Sequence, residues 1–170
     1  MVSRHPLKEG LVAGALGACV IAAWTFAADA LTDRIGMTPA LVGSWLFSSF
    51  GASGFAVNVA GYLVSLFVGV ITIGIVGSYV YNASEERPSR MRAFIALAIV
   101  LEAVFLMVIF LAARSELFGA AAWVYGLVGN ALGAFAMGRY LWRRHHPEAA
   151  WDWKQANDSH FHAGQERPLS

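Results

Sequence analysis

Residues Val59–Tyr81 read VAGYLVSLFVGVITIGIVGSYVY, 23 positions without one charged side chain. About 20 mostly apolar residues in an α-helix cross roughly 30 Å of hydrocarbon, so this run predicts a membrane-spanning helix. Its apolar residues cover every face rather than one stripe, as expected where lipid lies on one side and other helices on the other. Three runs of the same kind accompany it: Leu11–Leu31, Ala93–Ala113 and Phe118–Leu141. The predicted fold is all-α, a polytopic membrane protein with four transmembrane helices.

The composition agrees. Of 170 residues, 58% are hydrophobic and 14% charged, with a mean hydropathy of +0.56. Soluble domains carry about 25% charged residues. A net charge of +1 gives no reason to expect a nucleic-acid partner. The single cysteine, Cys19, forms no internal disulfide and no CxxC metal site, and reads as a small apolar residue of the first span.

Lysine and arginine set the orientation. Arg4 and Lys8 precede the first span, Arg87, Arg90 and Arg92 lie between spans two and three, and Arg139, Arg143, Arg144, Lys154 and Arg167 fall at and after the end of span four. The other side holds only Arg34 and Arg114, ten against two. This places both termini in the cytoplasm of a bacterium and the protein in its inner membrane. A cleaved signal peptide is the competing reading of the first run, with Ala28-Asp29-Ala30 as a loose cleavage site. The apolar stretch exceeds the usual 7–15 residues, which favours a retained span.

Between spans one and two, Thr38-Pro-Ala-Leu-Val-Gly-Ser-Trp-Leu-Phe47 is apolar but too short to cross. Thr38 as N-cap and Pro39 at the first helical position predict a short outer helix, interfacial or re-entrant, with Trp45 near the headgroups. Ser48–Gly54 then links to span two. After Pro147 the chain turns polar, so residues 1–144 form the transmembrane domain and 145–170 a cytoplasmic tail.

Helices in lipid associate through close packing over small residues and a few polar contacts. Span two carries Gly61, Ser65 and Gly69 at four-residue spacing. Span four carries Ala122, Gly126, Asn130, Ala134 and Gly138 at the same spacing, with Gly129 and Gly133 beside them, and span one has Gly10, Gly14 and Gly17. These stripes predict helix contacts, within the chain or to a partner. Small residues on two adjacent faces of span four are more than one contact requires.

Glu102 is tenth in a span of 21, near the bilayer midplane. An unpaired charge there costs about 2.5–3.5 kcal/mol, so a partner is expected. Asn130, near the middle of span four, is the expected partner, with Thr72 of span two at similar depth. The pair reads as a register-fixing hydrogen bond or as one stop on a proton path; a path needs several such groups in series. Asp29 and Asp33, four apart at the outer end of span one, share a helical face on this reading and repel unless neutralised, with Arg114 available to do so. They read as solvated ion pairs or as a cation site.

All five histidines, His5, His145, His146, His160 and His162, lie outside the predicted spans. Haem held within a membrane usually takes a buried histidine, so neither a b-type cytochrome nor a histidine-ligated metal in the bilayer is expected. His160 and His162 with Asp158 have a spacing that flexible tails often show by chance. Nucleophile elbows, phosphate loops, HExxH and CxxC are missing. Arg139-Tyr-Leu-Trp-Arg-Arg-His-His146 is a basic, aromatic membrane anchor with some attraction for anionic lipid.

Trp24-Thr-Phe-Ala-Ala-Asp29 followed by Thr38–Phe47 resembles the start of a family of small uncharacterised bacterial membrane proteins. Trp123-Val-Tyr-Gly-Leu-Val-Gly129-Asn130 through Met137-Gly-Arg-Tyr-Leu-Trp142 to Pro147 is similar to its close. The resemblance covers spans one and four and the outer segment, and implies a four-helix fold without an established activity. A histidine that the family pattern has after a tyrosine in span two is absent near Gly61-Tyr62, so a ligand role does not carry over.

The expected function is a non-catalytic accessory subunit of a larger membrane complex of respiratory or photosynthetic electron-transfer type. It has no cofactor of its own, and its partners are other membrane-protein subunits and lipids. Trp151 and Trp153 are the expected docking residues of the tail. The alternative is a small oligomeric transporter or channel with Glu102 on the path.

Overall fold

The computed structural model describes residues 5–47, 50–51, 54–84, 95, 99 and 120–146. Within them are four α-helices and no strand: α1 (Pro6–Ala30), α2 (Met37–Phe47), α3 (Phe55–Ser84) and α4 (Ala120–His145). Span three, Ala93–Ala113, falls outside the described residues apart from Ile95 and Ile99. So do Glu102, Trp151 and Trp153, and with them the tail readings.

By length and composition, α1 and α3 can each cross a membrane. Only 6% of the most apolar window of α3 is buried inside the protein, so the protein itself does not account for that hydrophobicity. Both helices outrun the predicted apolar runs. Proline opens α1 at Pro6, where its missing N–H is no loss, and Glu9 lies in the first turn, where the helix dipole favours an anion.

The packing is the reverse of a soluble core. The buried apolar residues include Ala13, Ala18, Ala28 and Ala40, whereas Val64, Val68, Ile73, Val76, Leu127 and Phe135 are exposed. Small residues bring backbones together and large ones turn outward, as lipid permits.

Helix α1 is the centre, packed on α3 along one side and on α4 along another, while α3 and α4 barely meet. Gly10 and Gly14 lie against Ile75, Ile71 and Gly74 of α3; further along, Thr25 meets Tyr62. On α4, Met137 meets Gly17, Gly133 meets Ile21, and Gly129 meets Trp24. Both α3 and α4 therefore run antiparallel to α1, and parallel to each other. The starts of α1 and the ends of α3 and α4 stand together.

The outer segment departs from expectation at its cap. Helix α2 begins at Met37, with the Gly36 carbonyl accepting the first helical bond from the Ala40 N–H (3.0 Å). Thr38 is thus inside the first turn and does not cap it. The cap comes from Asp29 near the end of α1, whose carboxylate accepts from the Thr38 N–H (2.9 Å) and the Thr38 hydroxyl (2.6 Å). Gly36, at φ +78°, makes the turn between them. A Cβ at Gly43 would overlap the Asn58 carbonyl, and Phe47 lies on Gly61, so α2 runs beside the first turns of α3 in the same direction.

Candidate functional site at the shared helix ends

Glu9 in the first turn of α1 and His145 in the last turn of α4 meet with Oε2 and Nε2 3.4 Å apart. The His145 side chain is 1% exposed and that of Glu9 13%, although His145 lies outside the spans predicted from sequence. Tyr81 of α3 closes the third side, its ring centroid 4.7 Å from that of His145. Three helices are thus tied at one level. With the imidazole protonated, the carboxylate sits at the positive end of one helix dipole and the cation at the negative end of another, so both dipoles favour the pair. One turn back, Trp142 stacks on His146 at 5.4 Å, and the Trp142 carbonyl lies 3.2 Å from the His146 ring nitrogen.

Deeper in, polar groups link helices to one another. The Trp24 indole N–H donates to the Tyr125 carbonyl of α4 at 2.8 Å, with its ring over Gly129. The Thr25 hydroxyl donates to the Ile21 carbonyl (2.9 Å) and stands 3.3 Å from the Tyr62 hydroxyl of α3. Thr72 donates to Val68 on its own helix and is exposed, so it takes no part in a buried network among the described residues.

At the far end, Asp29 and Asp33 do not share a helical face, which corrects the sequence reading. Helix α1 stops at Ala30, Asp33 adopts a left-handed φ of +53° in the turn, and the Asp29 carboxylate is turned to α2. The Asp29 carbonyl accepts from the Thr32 and Arg34 N–H groups, which fixes that turn. No group of three or more metal-ligating side chains occurs among the described residues. Cys19 is an exposed thiol.

The small-residue positions divide. Gly61 lies against Phe47 of α2, and Gly129 and Gly133 against Trp24 and Ile21 of α1. A Cβ at Gly69, Gly126 or Gly138 would meet nothing within 4 Å. Ser65 and Asn130 are half-buried. The partner expected for Asn130, Glu102, is outside the described residues, so the pair has no described geometry. Sequence reasoning missed the Glu9–His145 pair, whose members are 136 positions apart, and no local pattern signals it.

Set against protein-family models, curated proteins and solved structures, the chain matches none.

Proposed function

We propose that this chain is a non-catalytic accessory subunit of a larger bacterial membrane complex, of respiratory or photosynthetic electron-transfer type. It sits in the inner membrane with four spans and both termini in the cytoplasm. The topology draws support from helix direction. Because α3 and α4 run the same way, Ser84 and Ala120 stand at opposite ends of the helices, and a third span over Ala93–Ala113 makes the return crossing. Lys8, Arg139, Arg143 and Arg144 gather at the shared helix ends, against Arg34 alone among the described cations of the other end, in keeping with a cytoplasmic side.

The observation that carries the subunit reading is the two-sided character of α4. On α4, Gly129 and Gly133 are filled by α1, whereas a Cβ at Gly126 or at Gly138, about 120° apart round the helix, meets no described atom within 4 Å. Glycines on an open helical face leave a flat surface on which another helix packs at short range. Polar contacts of Trp24, Asp29 and Glu9 link this chain's own helices.

The test is purification of the tagged chain in a gentle detergent, with mass spectrometry and an absorption spectrum of what elutes. Stoichiometric haem- or pigment-bearing subunits are expected. Gly126→Leu should reduce their recovery while leaving the thermal midpoint of the chain alone unchanged within error. A fall in that midpoint assigns the open face to the chain's own third span instead. Loss of partner with Trp151→Ala and Trp153→Ala would add the tail to the interface. A colourless homo-oligomer would sink the proposal and bring forward the transporter with Glu102 on its path.

A further inference from the structure

We infer that the shared end of α1 and α4 carries a seat for one diacyl phospholipid with an anionic headgroup. Two adjoining grooves meet there. The larger, about 430 Å³, has an apolar floor of Leu16, Phe135 and Ala136. Its rim is basic, with Arg139, Arg143 and Arg144 beside the Tyr140 ring. The second, about 330 Å³, lies between Phe135, Gly138, Arg139 and Trp142. Phe135 and Arg139 belong to both. They are four apart on one helix, so they form a ridge with the cation toward the helix end and the ring toward the membrane interior.

That shape fits a two-chain lipid. The phosphodiester rests on Arg139 and Arg143, whose guanidinium forks suit phosphate oxygens. One acyl chain lies on each side of Phe135, which is 68% exposed. Gly138 opens the second groove because it has no side chain to fill it. Among the described residues no carboxylate pairs with any of the three arginines, since the one described ion pair is Glu9–His145. The lining holds no acid to receive a choline or ethanolamine cation, so an anionic headgroup is preferred over a zwitterionic one. A free phosphate ion would use the rim but not the apolar floor of Leu16, Phe135 and Ala136.

The inference rests on the membrane reading and not on the accessory-subunit reading, because the isolated chain suffices to test it. The full chain is purified, delipidated and titrated with phosphatidylglycerol or phosphatidylcholine in mixed micelles, following the thermal midpoint and lipid retained in native mass spectrometry. One retained phosphatidylglycerol and a midpoint raised by several degrees more than with phosphatidylcholine are expected. The double variant Arg139→Gln/Arg143→Gln should weaken the phosphatidylglycerol response at least tenfold. Arg34→Gln, at the opposite end, should keep it. If the double variant does not fold, Phe135→Glu, which places a carboxylate between the grooves, is expected to abolish the preference. Equal responses to the two lipids, equal losses in Arg34→Gln, or a full response to inorganic phosphate alone would each overturn the assignment.

Discussion

The two sides of α1 are built by different rules. Toward α3 the contact is backbone on backbone: a Cβ at Gly10 would stand 2.5 Å from the Ile75 Cα, and one at Gly74 2.6 Å from the Gly10 carbonyl oxygen. Toward α4 the nearest atoms are in side chains: a Cβ at Gly17 would meet the Met137 sulphur at 2.5 Å, and one at Gly133 the Ile21 Cγ1 at 2.6 Å. Similar distances carry different costs. Backbone cannot move without shifting a whole helix, whereas a methionine changes rotamer. The α3 side is a rigid hinge line, and the α4 side is an adjustable one secured by the Trp24 hydrogen bond and the Glu9–His145 pair.

The strongest test of this difference is Gly74→Val. Overpacking a backbone contact should cost about 3 kcal/mol or more, read as loss of the cooperative transition when the purified protein is titrated with SDS in mixed micelles. A variant as stable as the parent would break the comparison outright. Gly17→Ala, on the adjustable side, should cost about 1 kcal/mol, and Met137→Ala in the same chain should recover most of it, giving a measurable coupling in a double-mutant cycle. An additive cycle would mean that Met137 does not yield. Glu9→Gln should cost about 1 kcal/mol, with His145→Gln adding little once Glu9 is gone. Last, Gly69→Ala faces open space and should leave the midpoint of the isolated chain within error; a marked change would place a neighbour there.

Much of the helix layout was readable along the chain, because hydrophobic continuity is a local property. Val59–Tyr81 lies wholly within α3, and Leu11–Ala30 within α1. The ends were read short: Phe55–Asn58 and Pro6–Gly10 are helical although they extend past the apolar run, since a helix does not stop where hydrocarbon does. What the sequence hid was direction. Four-residue spacing sets Gly126, Asn130 and Gly138 on a stripe that drifts round the helix and does not say which neighbour it meets, and a Cβ at either glycine meets no described atom within 4 Å. Caps borrowed across the chain were hidden too. Thr38 looks like its own N-cap until Asp29, nine residues earlier, takes the Thr38 N–H. The Asp29–Asp33 reading failed because periodicity assumed a helix that ends at Ala30. His145 was counted outside the span, which is true of its hydropathy and says nothing of the fold that covers it.

The central place of α1 also sets a timetable. A ribosome delivers this helix before α3 and α4, so its contact surface is completed only by segments made later. Its α3 flank can close once Ser84 has been made; its α4 flank waits for Gly133, Met137 and His145. At about 5–20 residues per second the delay is several seconds, during which the Gly17, Ile21 and Trp24 flank is open to whatever the insertion machinery offers. Helix α1 is made before both of its neighbours and enclosed only after the second of them, and a nascent chain cut off before α4 would leave that flank permanently bare.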